Sequence, residues 1–193
     1  MVNLTRIYTK TGDDGTTALG DMSRTTKNDL RLHAYADVDE ANSALGVVLA
    51  LGELPAELRE LLIAIQNDLF DVGADLCTPV VPDPAYPPLR VTDAYVERLE
   101  EACDTYNEPL EALRSFVLPS GTAAAALLHV ARTVVRRAER ATWLAFEQHA
   151  EAMNPLTARY LNRLSDLLFI LARVANTPAL GGEGDILWRP GGA

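Results

Sequence analysis

Cysteine is scarce in this chain: only Cys77 and Cys103 occur among 193 residues. A disulfide framework needs more, and no CxxC spacing offers a metal ligand pair. Two neutral thiols in a reducing cytoplasm are the expectation. Histidine is nearly as rare, and His33, His129 and His149 are widely spaced. They form no HExxH and no His–Glu spacing of the kind that builds a zinc or di-iron centre. Nothing suggests a nucleophilic triad. Long apolar runs are also missing. No stretch approaches the roughly eighteen residues of a membrane span, and the start, MVNLTRIYTKTGDDGTT, has no apolar segment of signal-peptide length. Basic residues are in deficit, 17 Lys plus Arg against 27 Asp plus Glu, for a net charge of −10. General nucleic-acid binding wants the opposite balance. A nucleotide ligand stays compatible, because a local patch can oppose the global sign.

Hydrophobic residues make up 48% of the chain and charged residues 23%, enough apolar surface for one sizeable core and too much for disorder. Residues 1–27 are polar and turn-rich, with a β-prone piece at Leu4–Thr9. Beyond them the apolar period is helical. Asn28 or Asp29 caps a helix running to Leu51, and Pro55 opens a second one. Thr78–Arg90 holds five prolines and must be a loop. Thr92 or Asp93 caps a third helix to about Asn107. A fourth runs from Thr122 to about Ala150, and a fifth from about Leu156 to Asn176. Five amphipathic helices with little strand predict an all-α five-helix bundle. We read residues 1–193 as one domain: an arm at 1–27, a bundle at 28–177 and a Gly-rich tail at 178–193.

Five segments could carry chemistry. In TKTGDDGTT, Gly12 and Gly15 free the backbone to expose amides. Lys10 and the hydroxyls of Thr9, Thr11, Thr16 and Thr17 can meet phosphate oxygens. A polar turn with an N-terminal hairpin fits the same residues. In HVARTVVRRAER, Arg132, Arg136 and Arg140 fall within about 80° of one another at helical pitch. His129 shares their sector, Glu139 lies at its edge and Arg137 points elsewhere. Like charges at this spacing repel, while guanidinium forks suit phosphate or carboxylate. The two readings are an anion site and a solvated or carboxylate-paired face. In AYADVDEAN, Asp37, Asp39 and Glu40 are either exposed acids or a partner for an arginine of the stripe. In YLNRLSDLLFILAR, Asn162 and Asp166 interrupt an apolar helix and need partners. In SFVLPSGT, Phe116 precedes a Pro–Gly break, and a core ring is the plainer reading.

In order along the chain, IYTKTGDDGTT, YADVDEANSALG, QNDLFDVGADL, FVLPSGT, LHVARTVVRRAER and YLNRLSDLLFILAR resemble the PduO-type ATP:cob(I)alamin adenosyltransferase family. The resemblance covers nearly the whole chain. It implies a homotrimeric five-helix bundle with active sites between subunits. It also implies transfer of the 5′-deoxyadenosyl group of ATP to the cobalt of cob(I)alamin, with triphosphate leaving. By matching positions, Thr9, Lys10, Thr11, Gly12 and Asp13 would wrap the phosphates, with Thr17 and Lys27 nearby. Arg136, Arg137 and Arg140 would neutralise the triphosphate. Glu139 and Asn162 would complete the nucleotide site and its Mg²⁺, itself held mainly by the phosphates. Asp39 would pair with Arg136 across the subunit contact, supported by Arg132. Phe116 would face the corrin and displace its lower ligand, with Trp188 as the tail's candidate contact.

The implied partners are a reductase and an adenosylcobalamin-dependent mutase. Asp14 departs from the family, which often carries Lys there; Ser120 in place of Gly is milder. A corrinoid carrier delivering cobalamin to a mutase is the second reading. A helical module whose arginine stripe binds an acidic partner is the third.

Overall fold

The computed structural model describes residues 8, 10–84 and 86–192. Five helices form as the apolar period requires: α1 (Leu30–Leu51), α2 (Ala56–Cys77), α3 (Asp93–Asn107), α4 (Ala123–His149) and α5 (Leu156–Ala175). Their starts follow cap chemistry. Asp29 accepts a hydrogen bond from the Arg31 amide, and Thr122 accepts one from Ala125. Pro55 precedes α2 and Pro155 precedes α5, where a missing amide proton costs nothing.

α4 lies at the centre, between α1 and α5; α2 packs on α1 and α3 on α5. The small residues Ala124, Ala125, Ala131 and Ala138 of α4 are fully or almost fully buried. They let α1 and α5 approach closely, and Leu45, Leu128, Leu161, Leu164 and Leu168 fill the space between. Polar pairs close the ring at α3. Arg98 donates to Asp68 of α2 at 3.0 Å, and the buried Tyr160 hydroxyl donates to the same carboxylate at 3.2 Å.

The proline loop is pinned from inside. The side chain of Asp75 is wholly buried. It accepts from Arg90 at 2.5 Å, the Val91 amide at 2.7 Å and Asn154 at 2.7 Å. Arg90 also donates to the carbonyls of Thr78 and Pro79. Every group in the cluster is satisfied, which a buried charge requires.

Ahead of the bundle stands an antiparallel hairpin, β1 (Thr16–Ala18) with β2 (Arg24–Thr26), in register Thr17 opposite Thr25. The β-prone piece expected at Leu4–Thr9 lies outside the described residues, apart from Tyr8. The hairpin falls instead in the turn-rich stretch, where alternation was too short to read. Leu19 is buried, and the Gly20 amide donates to the Cys77 carbonyl at 2.8 Å. A Cβ at Gly20 would sit 2.1 Å from Thr78 Oγ1, so only glycine permits this docking. The tail is ordered too: Val117 and Leu187 form an antiparallel bridge.

Candidate active site

The loop before β1 is built by glycine and by an Asx turn. Gly15 has φ of 81° and Lys10 has φ of 62°, so the backbone bends sharply here. The Asp14 carboxylate accepts from the Thr16 amide at 3.0 Å and its hydroxyl at 2.7 Å. These hydrogen bonds, the hydroxyl's first, hold the Asp14 carboxyl below its usual range. Arg24 reaches over from β2, donating to the Thr11 carbonyl at 2.9 Å and to Thr16 Oγ1, and lies 3.7 Å from Asp14. The negative charge at Asp14 is therefore met by a cation on the opposite strand. A Cβ on Gly12 would lie 3.1 Å from Lys27 Nζ, so the lysine side chain crosses directly over this glycine.

Lys27 and Thr17 line a cavity of about 300 Å³ together with Leu32, His33, Tyr35 and Ala36. Its walls are hairpin and α1, with no residue of α4. Lys10 and Asp13 are exposed, and Thr9 lies outside the described residues.

On α4, Arg136 and Arg140 are exposed and Arg132 is half-buried. Arg140 donates to the Arg136 carbonyl at 3.2 Å. Among the described residues none of these three arginines forms an ion pair with a carboxylate. Burial, with the neighbouring charge of Arg136, lowers the pKa of Arg132. Arg137 differs: it pairs with Glu40 and lies 3.6 Å from Asp37, both on α1. The expected carboxylate partner thus exists, but it serves Arg137 and not the stripe, because Arg137 is on the face turned to α1. His129 also parts from the stripe. It is 2% exposed, stacks edge-on to Phe169 at 6.0 Å and has no hydrogen-bond partner on either ring nitrogen. Burial, then Arg132, lowers its pKa.

Asn162 donates to Glu139 at 3.1 Å across α5 and α4, so two residues 23 apart in sequence share one position beside the stripe. Asn162 is not a core amide; it is exposed. Asp166 pairs with Arg163 at 2.8 Å. Asp39 is exposed at a cavity of about 460 Å³ shared with Tyr35, Asn42 and Phe70, and it pairs with nothing among the described residues. Phe116 is not a core ring: it is 77% exposed and meets Trp188 edge-to-face at 5.9 Å.

One chain thus joins Glu139 to Asn162 and Gly12 to Lys27. The cavity beside the loop includes no residue of the stripe. Arg24 was missed by sequence reasoning, since its role depends on the strand register that sets it opposite Ala18.

The fold and site define a helical bundle with a glycine-bent loop, an arginine face without ion-pair partners among the described residues and an exposed aromatic pair. The sequence profile described as cobalamin adenosyltransferase matches residues 7–175, and the chain belongs to this family. The corrinoid adenosyltransferase of Mycobacterium tuberculosis (strain ATCC 25618 / H37Rv) is 62% identical over 191 residues, covering 99% of this chain and 96% of that protein. The corrinoid adenosyltransferase of Bacillus subtilis (strain 168) is 42% identical over 186 residues, covering 94% and 91%. Among solved structures, a variant PduO-type ATP:corrinoid adenosyltransferase from Lactobacillus reuteri complexed with cobalamin and ATP superposes with TM-score 0.86. It is 38% identical and covers 96% of this chain and 97% of that one.

Proposed function

We propose that this chain transfers the 5′-deoxyadenosyl group of ATP to the cobalt of cob(I)alamin and releases triphosphate. The observation that carries the reading is the arginine face of α4. In a chain of net charge −10, Arg132, Arg136 and Arg140 have no ion-pair partner among the described residues, while Arg137 one step away is paired. An anion of several charges is the ligand such a face is built to take.

The chemistry needs little from the protein beyond position and charge. Cob(I)alamin is already a strong nucleophile, so no protein base or nucleophile is required. Its cobalt attacks C5′, the Co–C bond forms, the C5′–O bond breaks, and triphosphate leaves with that electron pair. Arg136 and Arg140 stabilise charge growing on the leaving group. Lys10, Thr11, Gly12, Asp13, Thr17 and Lys27 hold the nucleotide, with Thr9 ahead of them, so that C5′ stays in line with cobalt.

Glu139 and Asn162 fit a divalent ion. Mg²⁺ takes one or two protein oxygens and otherwise phosphates and water, and this pair supplies a carboxylate and an amide within 3.1 Å of one another. The ion, when bound, neutralises phosphate charge. Phe116, largely exposed, presents the ring that excludes a lower ligand from the corrin.

A cavity beside the loop that includes no residue of the stripe supports a site shared between subunits of a homotrimer. There Asp39, unpaired among the described residues, meets Arg136 of a neighbour, with Arg132 supporting the contact. Phe70 and Leu51, 71% and 66% exposed, are apolar surface that assembly would cover. A reductase supplying cob(I)alamin and a mutase receiving the product, in a reducing cytoplasm, complete the proposal. The carrier reading is disfavoured because a carrier needs no triphosphate site.

The test is an anaerobic mixture of protein, chemically reduced cob(I)alamin and Mg-ATP. Loss of the cob(I)alamin absorption, growth of adenosylcobalamin and an equal amount of triphosphate is the expected result. Corrinoid binding without these products would leave the carrier. Tight binding of an acidic protein, unaffected by ATP or by Lys10→Ala, would leave the interaction module.

A further inference from the structure

The arm that carries the loop has little core to hold it in place. Its two strands have three residues each, and an isolated hairpin is marginally stable at best in water. Among the described residues of 1–27, Leu19 is the one that is buried. It sits at the turn end, where the Gly20 amide docks on the end of α2. The open end, which leads from Thr25 to Lys27, needs an anchor of another kind.

That anchor is Asp29. As the cap of α1 it has to accept from a backbone amide, and it does so from Arg31 at 2.9 Å. Its side chain is only 8% exposed, and its two oxygens accept three further bonds. Arg31 Nε donates at 3.0 Å, Arg31 Nη2 at 2.7 Å and the Thr25 hydroxyl at 2.8 Å. His149 Nε2, at the end of α4, lies 3.5 Å away. One carboxylate thus joins the hairpin, the start of α1 and the end of the helix that bears the arginine stripe. Hydrogen bonds from the Arg31 side chain, outweighing burial, hold the Asp29 carboxyl far below its usual range. It stays ionised near neutrality, where a carboxylate can only accept.

The Thr25 hydroxyl fixes what stands next to the loop. Thr25 is opposite Thr17 in the hairpin register. Two residues on, the Lys27 amide donates to the Gly15 carbonyl at 2.9 Å, and the Lys27 side chain crosses Gly12. Thr17 and Lys27 are both walls of the cavity of about 300 Å³ beside the loop. A hairpin free to swing at Thr25 would carry both walls out of place, and ordering them on binding would cost affinity.

We propose that Asp29 and Thr25 are positioning residues for the nucleotide: the Thr25–Asp29 bond fixes the open end of the hairpin and so sets Thr17 and Lys27 in place before ATP arrives. The proposal rests on the adenosyltransferase reading above, which supplies the nucleotide. Both residues act through Thr17 and Lys27. Cutting this bond should therefore weaken ATP binding and leave the transfer step and the corrinoid alone.

Steady-state kinetics with cob(I)alamin, and calorimetric titration of the full chain with Mg-ATP, test this on Thr25→Val. That change keeps the shape and the strand preference and removes the hydroxyl. The KM for ATP and the calorimetric Kd should both rise about tenfold, the scale of one hydrogen bond to a charged group. The kcat at saturating ATP and the KM for cob(I)alamin should stay within about twofold of wild type. Thr25→Ser returns the hydroxyl and should restore most of the ATP affinity. Asp29→Asn should weaken ATP binding too, and the double variant Thr25→Val/Asp29→Asn should be little worse than the weaker single one, because both cut the same bond. Unchanged ATP affinity in Thr25→Val, with or without a lower melting temperature, overturns the positioning role and leaves a purely structural bond. Equal losses of ATP and cob(I)alamin affinity, or additive losses in the double variant, overturn it as well. A wild type that binds Mg-ATP and forms no adenosylcobalamin overturns the transferase reading, and the calorimetry alone then decides the anchor. A wild type that binds no Mg-ATP overturns both.

Discussion

Two arginine-bearing regions of this molecule differ in one respect. At the base of the proline loop, Arg90 is surrounded by acceptors: the buried carboxylate of Asp75 and the carbonyls of Thr78 and Pro79. On α4, Arg136 and Arg140 hang over a face with no carboxylate for them among the described residues. Arg90 closes a polar cluster that the fold needs, and its contacts are complete. The α4 arginines repel one another and destabilise the isolated helix slightly. A chain with 27 acidic residues had ample means to neutralise them, as it did for Arg137. A satisfied charge inside is a structural device, and the unsatisfied set outside is the one we propose for binding an anion.

Breaking the closed cluster should give the largest effect on stability. Asp75→Ala leaves the Arg90 guanidinium without its buried partner and should cost about 3–5 kcal/mol of unfolding free energy, measured by denaturant melts. The mirror experiment is Arg140→Ala. It should slow adenosyl transfer about 100- to 1000-fold, the usual cost of one donor to a developing anion. Unfolding free energy should move by less than about 0.5 kcal/mol, and light scattering should still report three times the 21.0 kDa chain. Wild-type turnover in this variant would remove Arg140 from the site.

Asp39→Asn sits between these extremes. It should weaken assembly and lower the rate together, by roughly tenfold in rate if it removes a charged partner worth about 1.4 kcal/mol. A variant with normal assembly and normal kinetics would take Asp39 out of the contact.

His129 sharpens the comparison from inside α4. Its pKa is held below the ordinary 6.5, first by burial and then by Arg132. The unfolded chain therefore binds a proton before the folded one does, and stability falls as pH drops below about 6.5, by up to about 1.4 kcal/mol per pH unit. The loss ends once pH is below the folded value. Arg132 on its own helix, Phe169 of α5 and Asp185 of the tail are its surroundings. In His129→Leu that part of the acid slope should vanish in melts at pH 5 to 7.

The smallest effect belongs to Asp14→Lys. The carboxylate holds the Asx turn through Thr16 and is countered by Arg24. The added cation and the lost turn act in opposite directions, so the KM for ATP should change by less than about fivefold. A drop of a hundredfold would show that Arg24 does not compensate for the family's lysine.

Much of the architecture was legible before any coordinates. The periodic apolar positions, Asn28 or Asp29 as a cap, and Pro55 at the start of the second helix sufficed for five helices, because each is a local rule acting within one or two turns. The arginine stripe was legible for the same reason: helical pitch alone aligns residues 132, 136 and 140. A hairpin in the N-terminal arm was among the readings, but the positions of its strands were not legible, since they are three residues each and alternation over three residues carries no signal. The exposure of Phe116 was not, because nothing local says whether an aromatic beside a Pro–Gly break turns in or out.

Periodicity, caps and charge counting thus determined the helices, their ends and the anion-ready face, all consequences of spacing along one chain. Tertiary structure alone decided which charges found partners. Arg137 met Glu40, Glu139 met Asn162, Arg24 crossed to the loop, and the tail closed beside Phe116. Those outcomes depend on which elements pack together, and packing is set by the whole core at once.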